Sequence, residues 1–463
     1  MQDPMRETAR GSARGSGARR RTLLLAAAGA GAGAALSAAC GQTSSTPPDE
    51  AKYALAAGTI TLVPFLSQIT PEMMGGWDEN VVATYRQKRP NVKVELVPQT
   101  GPTIDRIEKL RALTAAGSPP DLGDGPQGPQ VMVPQGMLDP AMDALVKRDK
   151  YDTKKYNQAH FERGSVFEGK IWAMPYRYGG NVICLACNTG LFAAAGVPLP
   201  PGDVAKAWTW EQFVDGLVRL TKREGGGQTT QFGLAGIGWI VGTWTPLWKT
   251  DWLDQPMKTV ICDNPEMRDC FGRLADLFHK HHVVPQLGEA TRLFGNANLF
   301  NTAKAAVLPF PPTGWRTYGA GAQVDYALTP IPTVKTTTPD MGMGGISLYA
   351  SGQHPADGWD FTKHLIESSR YARLIGLMPA PVAEIEPWLK EQFKNVPSAD
   401  PKVMVKIVES AGESGTLMSL HPKYAEMQAI INPAMDDLMA GTVAAVPMLQ
   451  GLKAPLQAII GGK

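Results

Sequence analysis

The stretch Phe167-Glu-Gly-Lys-Ile-Trp-Ala-Met-Pro-Tyr-Arg-Tyr-Gly-Gly-Asn-Val-Ile-Cys-Leu-Ala-Cys-Asn-Thr-Gly-Leu-Phe-Ala-Ala-Ala-Gly-Val-Pro198 alternates structure makers with structure breakers. Gly169-Lys170 is a turn signal, and Ile171 to Pro175 reads as a short apolar strand stopped by proline. Gly179-Gly180 breaks the chain again. Val182 to Ala186 is a continuous apolar run, the pattern of a strand buried on both faces. A short helix, Leu191 to Ala195, ends at Gly196, which suits a C-cap, and Pro198 forbids its continuation. Thr209 then caps a new helix, with Gln212 three residues on as in a capping box. Strand, kink, buried strand, short helix and capped helix make an α/β unit.

The same alternation extends outward in both directions. Upstream, Thr59-Ile-Thr-Leu-Val-Pro64 is a first strand, and apolar residues at 81, 82 and 85 give Asp78 to Lys88 a helical spacing that Arg89-Pro90 stops. Val92-Lys-Val-Glu-Leu-Val97 alternates like a strand with one solvated face, so strand, helix and strand open a parallel sheet. Ile104 to Ala116 is an amphipathic helix ended by Gly117. Downstream, Phe232 to Trp252 is rich in glycine and tryptophan, and the spacing of Trp244, Trp248 and Trp252 also allows one face of a core helix, with Trp239 at its start. Pro265 to His282 is helical, with Phe271, Leu274, Leu277 and Phe278 as its apolar stripe. The cluster His279, His281 and His282 reads as a solvated helix end rather than a zinc site.

With 463 residues, 43% of them hydrophobic, the chain exceeds one core and is expected to form two or three domains. Residues 1–39 hold six Arg against Asp3 and Glu7, while the whole chain is +2, so the remainder is weakly acidic. Nothing in that balance favours nucleic acid. Arg19-Arg20-Arg21 before Thr22-Leu23-Leu24 looks like a twin-arginine export signal, and the uncharged run to Ala39 is short for a membrane span. Ser37-Ala-Ala-Cys40 resembles a lipobox, which makes Cys40 the lipidation site and residues 41–52 a solvated tether. Cys184 and Cys187 lie three apart in a strand, hence on opposite faces, and read as core residues rather than a redox or zinc pair. Cys262 and Cys270 flank a turn opening a helix, a place for a small disulfide clamp in an exported protein.

In order along the chain, Gly169-Lys170, Pro175, Asn188, Leu191-Phe192, Ala195-Gly196, Pro198 and Thr209-Trp210-Glu211 resemble the solute-binding proteins of ABC importers, in particular the sugar-binding family 1. Cys187 stands where that family usually has Tyr. Further matches are Ser118-Pro-Pro-Asp121, Gln135-Gly-Met-Leu-Asp-Pro140, Leu299 to Leu308 followed by Trp315, Met343 to Ala350, His354 to Ser368, and Gly376-Leu-Met-Pro-Ala-Pro381. Together they cover about residues 55–460.

The resemblance implies an α/β fold of the two-lobe periplasmic-binding type (type II), its lobes joined by a multi-segment hinge. Lobe one is expected at 53–166 and 330–375, and lobe two at 167–329 and 376–463, after a signal at 1–39 and a lipidated tether at 40–52. The chain is expected to cross between lobes near residues 166, 329 and 376, closing on ligand by hinge rotation. It further implies capture of a carbohydrate or related polar solute, delivery to an ABC permease, a lipid anchor on the outer face of the cytoplasmic membrane and a monomer. No cofactor, metal or catalytic residue is expected. Aromatic faces would cover the C–H patches of a sugar, and polar groups its hydroxyl rim. The candidate ligand-binding residues are Ser67, Gln68, Asp124, Gln127, Tyr176, Trp239, Trp244, Trp315, Arg316, Gly344, Gly345 and Met378. Trp315 is the expected stacking platform. The competing class is a secreted glycoside hydrolase, which needs two opposed carboxylates; Asp121 and Asp124 are available, but in a short Pro/Gly loop.

Overall fold

Among the described residues, fourteen strands build two five-stranded sheets and two small ladders. They are β1 (Ile60–Leu62), β2 (Pro64–Ser67), β3 (Val92–Val94), β4 (Val97–Gln99), β5 (Leu122–Asp124), β6 (Val166–Phe167), β7 (Lys170–Ile171), β8 (Met174–Gly180), β9 (Cys184–Asn188), β10 (Lys222–Arg223), β11 (Thr229–Leu234), β12 (Ala305–Phe310), β13 (Tyr326–Thr329) and β14 (Met341–Leu348). This is a computed structural model, and it describes residues 53–461 except 100–102, 126–127, 181–183, 226, 238–243, 255–256, 287–296, 311–321, 338–340 and 411–419. The expected export segment, tether and Cys40 therefore lie outside the described residues.

The first sheet runs β4-β2-β5-β14-β8, with β2 parallel to β4 and β5 and with β14 antiparallel to β5 and β8. The second runs β10-β11-β12-β9-β13. Each has its own core. Around the first sheet, Trp77, Tyr85, Trp359, Phe361 and Tyr371 are buried together. The second sheet is covered on both faces. Along β9, Leu185 and Cys187 face one cluster with Trp210, Trp248 and Phe271, while Cys184 and Ala186 face another with Tyr326 and Trp388. The uninterrupted apolar run in the sequence has this cause. The two sheets with their helices are the two lobes.

Local chemistry sets the element ends. Asn188 accepts from Leu191 N at 3.0 Å and starts the helix Thr189–Ala195, which Gly196 closes at φ 61°. Thr209 and Gln212 form both halves of a capping box on the helix Trp210–Leu220.

Four expectations are corrected. Pro175 does not stop its strand: β8 runs from Met174 through Gly180, paired to β14, so the segment expected in lobe two from residue 167 stays in the lobe-one sheet until Gly180. The register shifts between Gly344 and Gly345 opposite Pro175, and such an irregularity accommodates a residue lacking an N–H. In the other direction, the segment after Thr329 stays on lobe two, since Ile331 is in its core and Thr333 exchanges backbone bonds with Trp208 and Trp210. From Trp244 to Trp252 the described residues form no α-helix but a short 3-10 helix, Thr245–Trp248, broken by Lys249 at φ 52°; Trp244, Trp248 and Trp252 are nonetheless buried. Cys262 and Cys270 carry free thiols. Cys262 precedes the helix Pro265–His279 and bonds Leu449 O at 3.5 Å, whereas Cys270 sits within that helix on its buried stripe.

Candidate functional site

The parallel strands β2, β4 and β5 end at the same border of the lobe-one sheet, and their last residues, Ser67, Gln99 and Asp124, meet there. In open α/β sheets this is where ligands bind. All three are buried. The Asp124 carboxylate accepts from Ser67 N at 2.7 Å, from Gln99 Nε2 at 3.2 Å, from Tyr176 Oη at 3.1 Å, and from Ser67 Oγ. Gln99 Nε2 also reaches Phe65 O and Asp124 O, each at 2.7 Å. Tyr371 donates to Ser67 O, and Tyr349 to Asp124 O at 3.4 Å. Burial pushes the phenols of Tyr176, Tyr349 and Tyr371 above their usual range, so each stays a neutral donor.

β8 and β14 complete this floor. Arg177 Nε donates to Tyr176 Oη at 2.9 Å, and its guanidinium lies 5.4 Å from the centre of the Tyr176 ring. The side chain passes over Gly344, where a Cβ would come within 2.9 Å of Arg177 Cζ and Nε. A Cβ at Gly345 would meet Ala173 Cβ at 2.8 Å. The crossing loop after Gly376 is zipped to the same strand: Tyr178 N donates to Met378 O at 2.8 Å and Ala380 N to Tyr176 O at 3.3 Å.

Of the expected residues, the structure thus brings together Ser67, Asp124, Tyr176, Gly344 and Gly345. Gln68 follows at φ 67°, exposed. Met378 is fully buried at the crossing. Trp244 is a correction: it is fully buried, its indole donates to Ile237 O at 2.6 Å, and it packs edge-on against Trp210, so its face covers the lobe-two core. Gln127, Trp239, Trp315 and Arg316 lie outside the described residues. Gln99, Arg177, Tyr349 and Tyr371 were not anticipated. Gln99 had a signal, since it ends a strand just as Ser67 does; Tyr371 stands on a helix more than 300 residues from Ser67 and had none.

The paired-carboxylate chemistry of a hydrolase finds no support in this arrangement. Asp121 accepts from Val63 N, Gln353 N and His354 N, and Asp124 from the donors above, so both serve to hold loops. Among the described residues no group of three or more His, Cys, Asp or Glu could hold a metal ion. Among the described residues, too, no helix is long and apolar enough to cross a membrane.

A family model described as bacterial extracellular solute-binding protein matches residues 70–369, well over half of the chain. No curated protein sequence matches. Among solved structures, an ABC substrate-binding protein from Listeria monocytogenes in complex with cycloalternan is similar at TM-score 0.70 and 15% identity, over 88% of this chain and 100% of that one. A sugar transporter from Rhizobium etli in an open conformation is similar at TM-score 0.67 and 19% identity, over 88% and 100%. A maltose/maltodextrin-binding domain from Bdellovibrio bacteriovorus bound to maltotriose is similar at TM-score 0.61 and 19% identity, over 86% and 99%. At such identities the likeness is one of fold: two α/β lobes of the periplasmic-binding type.

Proposed function

The chain belongs to the bacterial extracellular solute-binding protein family, and from that premise we propose that it captures a carbohydrate between its lobes and delivers it to the membrane permease of an ABC importer. The observation that carries this reading is the polar floor itself. Ser67, Gln99, Asp124 and Tyr176 are locked to one another at the strand ends, beside the strand and loop that cross to lobe two. Such a floor holds its shape before ligand arrives, so little ordering is left to oppose binding. The sugars bound to the similar structures from Listeria monocytogenes and Bdellovibrio bacteriovorus support the ligand class. Trp315 is proposed as the aromatic platform from lobe two, with Trp239, Arg316 and Gln127 as further contacts. Cys40 is proposed as the lipid anchor, following twin-arginine export.

The test is a calorimetric titration with neutral mono- and oligosaccharides, maltotriose among them, alongside thermal unfolding and chromatography of the recovered sugar. A binding protein gains melting temperature with its ligand and returns it intact. Trp315→Ala should weaken binding severely and leave the unliganded melting temperature nearly unchanged. A variant that unfolds, or binds as the parent does, removes Trp315 from the cleft. Cleavage of the sugar would instead establish the hydrolase.

A further inference from the structure

The floor of the cleft contains a cation that the neutral-sugar reading does not use. We infer that Arg177 forms an anion-binding subsite, and that the captured solute carries an oxyanion, carboxylate or phosphate, on a polyhydroxylated body. This rests on the proposed reading of the cleft as a carbohydrate site and narrows it.

Three observations converge. Arg177 is half-buried, and among the described residues its guanidinium has one hydrogen-bond partner, the Tyr176 hydroxyl reached through Nε. Neither Nη nitrogen meets a carboxylate there. Arg89 and Arg148 in the same lobe differ, pairing with Asp357 at 2.7 Å and Asp149 at 2.8 Å. The nearby carboxylate is already committed: Asp124 takes four donors from Ser67, Gln99 and Tyr176, and touches Arg177 only through the Tyr176 hydroxyl. Finally, the guanidinium is held in place. It rests over the Tyr176 ring, and the missing side chain at Gly344 leaves the path it occupies.

A guanidinium oriented through Nε with both Nη groups available presents a planar fork that fits carboxylate or phosphate oxygens two at a time. Closing the lobes over a neutral sugar would desolvate that charge further, with Asp124 acting on it only through the Tyr176 hydroxyl and no carboxylate in direct contact among the described residues, which is costly. An anionic group on the ligand removes the cost and uses the fork.

The experiment compares three probes on the intact protein by calorimetry: maltotriose as the neutral sugar, digalacturonate as the carboxylate and glucose 6-phosphate as the phosphate. Expected is binding of one or both acidic probes in preference to maltotriose, weakened by added salt. Which acidic probe binds separates the two oxyanions. Arg177→Met should weaken that binding by about thirtyfold or more. Gly344→Ala, which keeps the charge but pushes the guanidinium from its seat, should weaken it too. The Gly344 variant and the salt series on the parent remain decisive if the Arg177 variant does not fold. Maltotriose binding at least as tightly as the acidic probes, or acidic binding indifferent to salt and to both substitutions, overturns the subsite while leaving carbohydrate capture standing. If neither the neutral panel nor the acidic probes bind, carbohydrate capture falls, and the subsite with it.

Discussion

A carboxylate offers about four acceptor positions, and at Asp124 protein donors fill them: Ser67 N, Ser67 Oγ, Gln99 Nε2 and Tyr176 Oη. The residue reads in sequence as a contact to ligand hydroxyls, yet it has little left to offer a ligand. Its work is to fix the hydroxyl and the amide that border the cleft. Asp124→Ala should therefore cost folding stability, about 3 kcal/mol, because Ser67 N and the Gln99 amide lose a buried acceptor. Denaturant unfolding of the unliganded variant measures this. A variant as stable as the parent but weaker in binding would return Asp124 to the list of direct contacts. Affinity should also fall in the destabilised variant, since Ser67 and Tyr176 lose their common anchor, so the unliganded stability is the discriminating quantity.

At the scale of elements, the helix Gln158–Ser165 packs against β8 and carries His160 inside, 1% exposed, edge-on to Tyr178 at 5.6 Å. Neither imidazole nitrogen has a hydrogen-bond partner among the described residues. Burial, with the Arg163 charge adding to it, lowers its pKa from 6.5 to about 4. A lowered histidine pKa means that the unfolded chain binds the proton first as pH falls. The stability present above pH 6.5 should therefore drain away between pH 6.5 and about 4, by about 3 kcal/mol in all. His160→Phe should flatten the fall in melting temperature over that window, and an unchanged pH profile would mean that His160 is not buried neutral in solution. This helix, like most elements, is marked locally in the sequence by its cap, Asn157, which accepts from His160 N at 3.1 Å. The capping box at Thr209, the left-handed Gly196 and the two-faced burial of β9 were legible for the same reason: each depends on neighbours within a few residues. The extent of β8 was not, because Pro175 is a local breaker that only the irregular pairing with Gly345, 170 positions away, makes tolerable. Trp244 failed differently. Its glycine-rich surroundings suit a sugar contact as well as a core position, and the choice was decided by Trp210 and Phe213 on the helix Trp210–Leu220.

Across the whole molecule, the lobes are joined at one border by backbone. β8 leads from the first sheet toward β9 in the second, Thr329 leads back toward β14, and the loop from Gly376 to Pro381 crosses beside β8. Around that border lie direct ties between the lobes, among them Val382 N donating to Lys155 O at 3.0 Å and Asn157 Nδ2 to Val408 O at 3.0 Å. Each lobe keeps a core of its own, so a rotation about the crossings leaves both cores packed and strains only a few loop residues. A ligand touching the lobe-one floor and the second lobe at once would favour the closed arrangement by its contacts to both. The radius of gyration from small-angle scattering should therefore fall when the best-bound sugar of the titration panel is added. At a free sugar concentration a hundred times its dissociation constant the native state should gain about 2.7 kcal/mol against unfolding. The two readouts part usefully. A gain in stability with no compaction would place the ligand on one lobe alone, and Trp315→Ala would then leave affinity untouched. Compaction that disappears in Trp315→Ala would instead mean that the second lobe reaches the sugar through that indole.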